Sequence, residues 1–166
     1  MVDESLLARA REIKLLLMDC DGVLTDGRLY FSEYGEEIKV FHVRDGQGLV
    51  TWHQAGFLSG IITGRGAKPI IKRRAKELGI RYVKASSADK IGDFEKIIAN
   101  AGVSPGETAF IGDDIGDLGL LEKVGLSIGV ADAVDEVLAK VMFITKANGG
   151  HGAVREVTDL LLRSKF

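Results

Sequence analysis

Cysteine occurs once in this 166-residue chain and proline only twice. The lone Cys20 excludes an internal disulfide and fits a reducing compartment. Two prolines against 21 glycines argue against a disordered chain and for many tight strand-to-helix turns. Neither sign of charge prevails: 22 Lys and Arg meet 24 Asp and Glu, a formal net charge of −2. That balance gives no bulk attraction to nucleic acid or to an anionic membrane. Long hydrophobic runs are missing as well, since nothing approaches the ~20 apolar residues that span a bilayer. The amino-terminal stretch MVDESLLARAREIK carries acids where a secretory leader carries bases, and it has no apolar centre. A cytoplasmic protein is expected. No repeat, low-complexity tract or linker interrupts the chain, and its length suits one domain over residues 1–166.

What is present alternates. Short, near-continuous apolar runs at 15–18, 57–63, 82–85, 108–113, 126–131 and 142–145 read as buried strands of a parallel sheet covered on both faces. Between them lie helical stripes: Ile71, Ala75 and Leu78; Ile91 with Phe94; Ile98 with Ala101; and, last, Val154, Val157 and Leu161. Gly56, Gly79, Gly102 and Gly125 each follow a helical pattern where a left-handed C-cap belongs. The alternation predicts an α/β fold with a doubly wound parallel sheet. One segment departs from it. Residues 28–43, RLYFSEYGEEIKVFHV, form two β-rich arms around a glycine turn, a hairpin inserted after the first strand and too short for a cap domain.

The first strand ends in KLLLMDCDG, a buried run closed by two carboxylates. Like charges so close repel and resist desolvation unless a positive partner compensates. In a doubly wound sheet, ligands bind beyond the carboxyl ends of the strands, where the strand order reverses. There this chain concentrates Asp19 and Asp21, then Thr63 and Arg65, then Asp89 and Lys90, then Asp113, Asp114 and Asp117. If the first and fourth strands flank the reversal, four or more carboxylates meet in one crevice. A hard, oxygen-seeking cation such as Mg²⁺ makes that tolerable. One carboxylate of the pair can attack as nucleophile while the other handles the proton; in extended backbone both point the same way and Cys20 the other. Thr63 and Lys90 suit an anionic group opposite. Lys90 begins a helical stripe, where its charge opposes the helix dipole, so a purely structural role for it is disfavoured. Each fragment has a plain alternative: Asp-x-Asp as a turn or cap, GDD as capping carboxylates. The seven bases between Lys68 and Lys84 read mostly as a solvated helix face, with Arg73 the one that could greet an anionic substrate. The whole set, in this order at strand ends, points to catalysis.

The segments DCDGVLTDG, IITGR, Lys90 and GDDIGD resemble the four motifs of the haloacid dehalogenase superfamily of phosphatases, in its capless subfamily. The resemblance runs from about Lys14 to Leu162 and takes in FHVRDG, KVGLSIGVADA and GGHGAVREV. It implies that Asp19 attacks phosphorus and forms an aspartyl-phosphate, while Asp21 protonates the leaving oxygen and then activates water. It implies Mg²⁺ held by Asp19, the Asp21 main-chain carbonyl and Asp113, with Asp114 and Asp117 in support. Thr63 and Lys90 match phosphate-holding positions. Val43, Arg44, Asp45, Gly46, Gly64, Arg65 and Arg73, with Asp21 and Lys90, match substrate contacts. The implied activity is Mg²⁺-dependent hydrolysis of 3-deoxy-D-manno-octulosonate 8-phosphate in lipopolysaccharide sugar biosynthesis. A nine-carbon keto-sugar phosphate is the alternative substrate, favoured less because Arg65 stands where an acid is expected for it. Cys20, His151 and Val50 depart from the usual pattern. A receiver domain would order its acids, threonine and lysine differently. A catalytically silent oligomerisation module would not need intact Asp19, Asp21 and Asp113.

The hairpin carries Leu29, Tyr30, Phe31, Tyr34, Ile38, Val40 and Phe41, more apolar surface than an isolated ribbon can bury. Packing of hairpins from several subunits would cover it, and the resemblance implies a homotetramer in which a neighbour lids each crevice. The glycines of 149–152 suggest a flexible segment able to reach that neighbour. A hairpin folded back on its own domain is the plainer alternative.

Overall fold

The computed structural model describes residues 4–35 and 37–166; Glu36 of the hairpin turn and residues 1–3 of the acidic amino terminus lie outside them. Strand β1 (Leu15–Met18) is wholly buried because it has a strand on each side and helices above and below. It pairs in parallel with β4 (Leu58–Ile62), Met18 opposite Ile61, and with β6 (Thr108–Gly112), Met18 opposite Ile111. Beyond β4 lies β5 (Tyr82–Lys84); beyond β6 lie β7 (Leu126–Gly129) and β8 (Phe143–Ile144). The order is β5-β4-β1-β6-β7-β8, all parallel. The chain therefore leaves β1 in one direction and returns to build the other half from β6. The reversal falls between β1 and β6, and the loops after these two strands face each other there.

Right-handed crossovers put α2 (Val43–Gln54) and α3 (Lys68–Leu78) on one face of the sheet. They put α4 (Lys90–Ala101), α5 (Leu118–Leu121) and α6 (Asp135–Leu138) on the other. The packing agrees. Helix α2 lies against α3 and against the closing helix α7 (Ala153–Lys165), which also carries α1 (Glu4–Glu12); α4 lies against α5. Burial of Ile71, Ala75 and Leu78 on α3, and of Val154, Val157 and Leu161 on α7, follows the apolar stripes. On α4 the buried pair is Phe94 and Ile97, with Ile91, Ile98 and Ala101 at its edge. Among the described residues no helix is long and apolar enough to cross a membrane.

Several local expectations need correction. The hairpin is shorter than its arms suggest: β2 (Tyr30–Phe31) pairs antiparallel with β3 (Glu37–Ile38) as a separate two-stranded ribbon. Val43 already opens α2, whose N-cap His42 accepts from the Arg44 N–H. Gly79 and Gly102 are left-handed C-caps, and Gly56 also has positive φ. Gly125 does not. Its own requirement is space, because a Cβ there would overlap the Gly106 carbonyl. The extended register read for Asp19 to Asp21 stops at the end of β1. After it the chain turns, and the N–H groups of Val23, Leu24 and Thr25 all donate to the Cys20 carbonyl.

Candidate active site

Asp19 follows the last residue of β1 and is almost fully buried. One carboxylate oxygen accepts from the Cys20 N–H at 2.6 Å, the other from Lys90 Nζ at 2.6 Å. Lys90 is the first residue of α4, behind the N-cap Asp89, and reaches back across the sheet from that position. Its ammonium also bonds Asp117 Oδ1 at 2.7 Å. The remaining oxygen of Asp117, which is fully buried, accepts from the N–H groups of Asp113 and Asp114 at 3.0 and 3.4 Å. Asp117 thus fixes the loop after β6 and ties it to the loop after β1 through Lys90.

Asp19, Asp113 and Asp117 each offer an oxygen within 4.8 Å of the others. Burial, then repulsion from Asp117, raises the Asp19 carboxyl to about 6 against the pull of Lys90. Burial, followed by Asp19, Asp117 and Asp114, raises Asp113 further, to about 8. Among the described residues no ion pair reaches Asp113. Gly22 abuts it, and a Cβ there would overlap Asp113 Oδ2. Anionic oxygens packed this closely, with one lysine already shared by two of them, fit a hard divalent cation.

Asp21 sits in the turn after Asp19. Its Oδ1 accepts from Lys39 Nζ at 2.5 Å, while Oδ2 is buried with no hydrogen-bond partner, 3.8 Å from Arg65 Nε. Thr63, just past β4, is buried; its N–H and carbonyl bond Lys84 and Ser87. Together Asp19, Asp21, Thr63, Gly64, Arg65, Lys90, Asp113, Asp114 and Asp117 line one open crevice of about 390 Å³. A larger groove of about 530 Å³ between α1, β8 and α7 exposes mostly apolar surface, with Lys146, Glu156, Asp159 and Arg163 among its lining.

Other residues singled out from the sequence lie elsewhere. Asp45 is buried and accepts the Arg155 N–H at 2.8 Å and the Gly152 N–H at 3.4 Å, capping α7 from 110 residues away. Val43 and Arg44 are exposed on the first turn of α2, and Gly46 is packed against Arg74. Arg73 is exposed outside the crevice; it is Arg74 that lies over the Phe41 ring. Val50 packs against the core, and His151 is exposed with Nδ1 on the Gly149 carbonyl. The 149–152 segment does not extend away. Gly149 donates to Asp132 and Gly150 to the Val23 carbonyl, and a Cβ on either glycine would overlap the 22–26 loop. These glycines serve close approach to the loop that carries Asp21.

Lys39 went unnoticed in the sequence. Its signal is present in retrospect: Glu37 and Lys39 alternate with apolar Ile38 and Val40, the period-two pattern that sends one charged set to one face.

Residues 74–157 match a family model described as haloacid dehalogenase-like hydrolase. The 3-deoxy-D-manno-octulosonate 8-phosphate phosphatase KdsC of Yersinia pestis is 42% identical over 161 residues, 97% of this chain and 86% of that one. The protein of the same name from Escherichia coli K12 is 41% identical over 97% of this chain and 85% of its own. The crystal structure of the Yersinia pestis phosphatase superposes with a TM-score of 0.96 at 41% identity, covering 99% of this chain and 88% of that one. That of the Moraxella catarrhalis phosphatase, in complex with magnesium ion, phosphate ion and KDO, gives a TM-score of 0.94 at 38% identity, covering 97% and 92%.

Proposed function

The chain belongs to the haloacid dehalogenase-like hydrolases, and from that premise we propose that it is a phosphatase that hydrolyses 3-deoxy-D-manno-octulosonate 8-phosphate to KDO and inorganic phosphate with Mg²⁺ as cofactor. The observation that carries the reading is the Asp19 carboxylate, held on both oxygens and set in one crevice with Asp21, Asp113 and Lys90. Identity of 41–42% over 97% of the chain to phosphatases named for this substrate supports its identity.

Asp19 is the nucleophile. Its bonds to the Cys20 N–H and Lys90 fix the carboxylate and favour its anionic form. As an Asp19 oxygen bonds to phosphorus, the bond from phosphorus to the sugar oxygen breaks. Asp21 gives that oxygen a proton, so the sugar leaves as an alcohol. Asp21 then takes a proton from water; the oxygen of that water attacks the aspartyl-phosphate, and phosphate departs from a regenerated Asp19. Lys90 and Thr63 hold phosphoryl oxygens, and Arg65 at the rim meets the anionic sugar. Asp19, Asp113 and the Asp21 main-chain carbonyl would hold Mg²⁺, supported by Asp114 and Asp117; when bound, it supplies the positive charge that lets a phosphate dianion approach these carboxylates.

The exposed apolar hairpin supports a homotetramer whose subunits cover one another's crevices. A charged sugar phosphate does not diffuse across membranes, which supports a cytoplasmic enzyme feeding lipopolysaccharide sugar synthesis.

The test is phosphate release across a panel of sugar phosphates. The expected result is highest kcat/KM for the eight-carbon substrate, loss of turnover in chelator and recovery with Mg²⁺. Asp19→Asn is expected to lower kcat by roughly 10³-fold or more and to prevent covalent phosphorylation. Preference for a nine-carbon phosphate would overturn the substrate, and undiminished turnover in chelator would overturn the metal.

A further inference from the structure

Lys39 lies on the hairpin just beyond β3, yet its side chain is only 2% exposed. A buried ammonium is costly unless well paired, and this one is paired twice: with Asp21 Oδ1 at 2.5 Å and Glu37 Oε1 at 2.9 Å. The second Glu37 oxygen meets Arg65 NH2 at 3.4 Å, and Arg65 Nε returns to within 3.8 Å of Asp21 Oδ2. The four side chains close a ring. Its members come from the turn after β1, the hairpin and the loop after β4.

The ring is not uniform. Asp21 Oδ1 is spent on Lys39, whereas Oδ2 is buried without a hydrogen bond. Arg65, 42% exposed, is the loosely held member, and Lys39 is the fixed one. A carboxylate that must pass a proton needs one oxygen anchored for direction and the other uncommitted. Without Lys39, nothing among the described residues would hydrogen-bond the Asp21 side chain, and the longer 3.8 Å ion pair with exposed Arg65 would be left to hold it.

We propose that Lys39 is a positioning residue for the proton transfers of Asp21: it clamps one oxygen, leaves the other for the leaving group and the attacking water, and makes this geometry conditional on the hairpin lying against the crevice. The proposal rests on the acid–base role given to Asp21 above.

The experiment compares leaving groups, because only a poor one needs the proton. Lys39→Met keeps the buried stem and removes the ammonium. Measured as kcat/KM, which reports through phosphoryl transfer, the variant is expected to lose about tenfold or more on 3-deoxy-D-manno-octulosonate 8-phosphate but less than about threefold on p-nitrophenyl phosphate, whose phenolate departs unprotonated. Lys39→Arg, which restores a donor at the same carboxylate, is expected to recover a good part of the difference. Equal losses on both substrates, or none on either, would overturn the proposal. If Lys39→Met does not fold, Glu37→Gln, which weakens the ring from its far side, is expected to show the same leaving-group dependence in smaller measure; its absence would count equally against the role. Failure of the substrate assignment is separable. A wild-type enzyme active on p-nitrophenyl phosphate but on no sugar phosphate would refute that assignment, and the comparison would then pair p-nitrophenyl phosphate with phenyl phosphate.

Discussion

Asp113 is held at about 8 by burial and by Asp19, Asp117 and Asp114, and this raised value sets two opposite pH responses. An acid whose folded pKa lies above its ordinary value of 3.8 binds more protons folded than unfolded between the two. Without a cation, stability therefore falls as pH rises from about 4 toward 8. Cation binding requires the deprotonated carboxylate and so releases a proton below pH 8. Mg²⁺ affinity is accordingly expected to weaken as pH drops from 8 to 6, approaching tenfold per unit. Calorimetry in two buffers of different ionisation enthalpy should register the released proton; equal apparent heats would contradict it. Asp113→Asn removes the repulsion along with the ligand. It is expected to stabilise the cation-free protein at pH 8 while raising the Mg²⁺ requirement roughly tenfold or more. A variant needing no more Mg²⁺ than wild type would remove Asp113 from the metal site.

At the scale of elements, the carboxylate of Asp45, a motif residue matched to substrate contacts, is engaged in a long-range contact within the fold. It accepts the N–H groups of Gly152, the residue before α7, and of Arg155 in its first turn, and α7 packs on both α1 and α2. Asp45→Ala is expected to cost roughly 1–3 kcal/mol of stability by leaving buried donors unpaired, read as a lower urea midpoint, with KM nearly unchanged in the folded fraction. A raised KM at unchanged stability would return Asp45 to the substrate. The sequence could not separate these outcomes, because the residues that decide them, 45 and 155, are 110 positions apart. What it did convey were features with a local cause. The apolar runs at 15–18 and 108–113 hold β1 and β6, which are buried on both faces and so need no alternation. Strand-end Asp19, Thr63 and Asp113 follow from where β1, β4 and β6 stop. Gly79 and Gly102 announce helix ends through backbone sterics alone. Close approach is a tertiary fact, so Gly125 looked like a cap and Gly149–Gly150 like a flexible tether. The direction of Lys39 depends on where a two-residue strand places its pleat, and composition does not report that.

For the molecule as a whole, the hairpin presents an imbalance. Its charged side is satisfied inward, Glu37 and Lys39 closing on Asp21 and Arg65. Phe41 is drawn partly into the core beneath Arg74. Leu29, Tyr30, Phe31, Tyr34, Ile38 and Val40 stay exposed, Phe31 by 59% and Tyr34 by 84%. The ribbon is thus both folded back and uncovered, and one subunit cannot bury the outer face. Adjacent apolar side chains of this size form the kind of patch that soluble monomers rarely leave open. Packing hairpins of several copies together would bury it and would press Lys39 toward the crevice, linking assembly to the geometry of Asp21. Phe41 is a poor probe of this, since changing it disturbs the core. Tyr30→Glu combined with Ile38→Lys changes an exposed pair that lies directly across the two strands, on the face away from Glu37. The double variant is expected to sediment as a monomer, with far-UV circular dichroism and Mg²⁺ affinity close to wild type. Its kcat on the sugar phosphate is expected to fall about tenfold or more, since an uncovered site admits water and loosens the ring. Light scattering and turnover measured on the same sample decide the matter: a wild-type protein that is itself monomeric, or a monomeric variant with full turnover, would show that the crevice needs no neighbour.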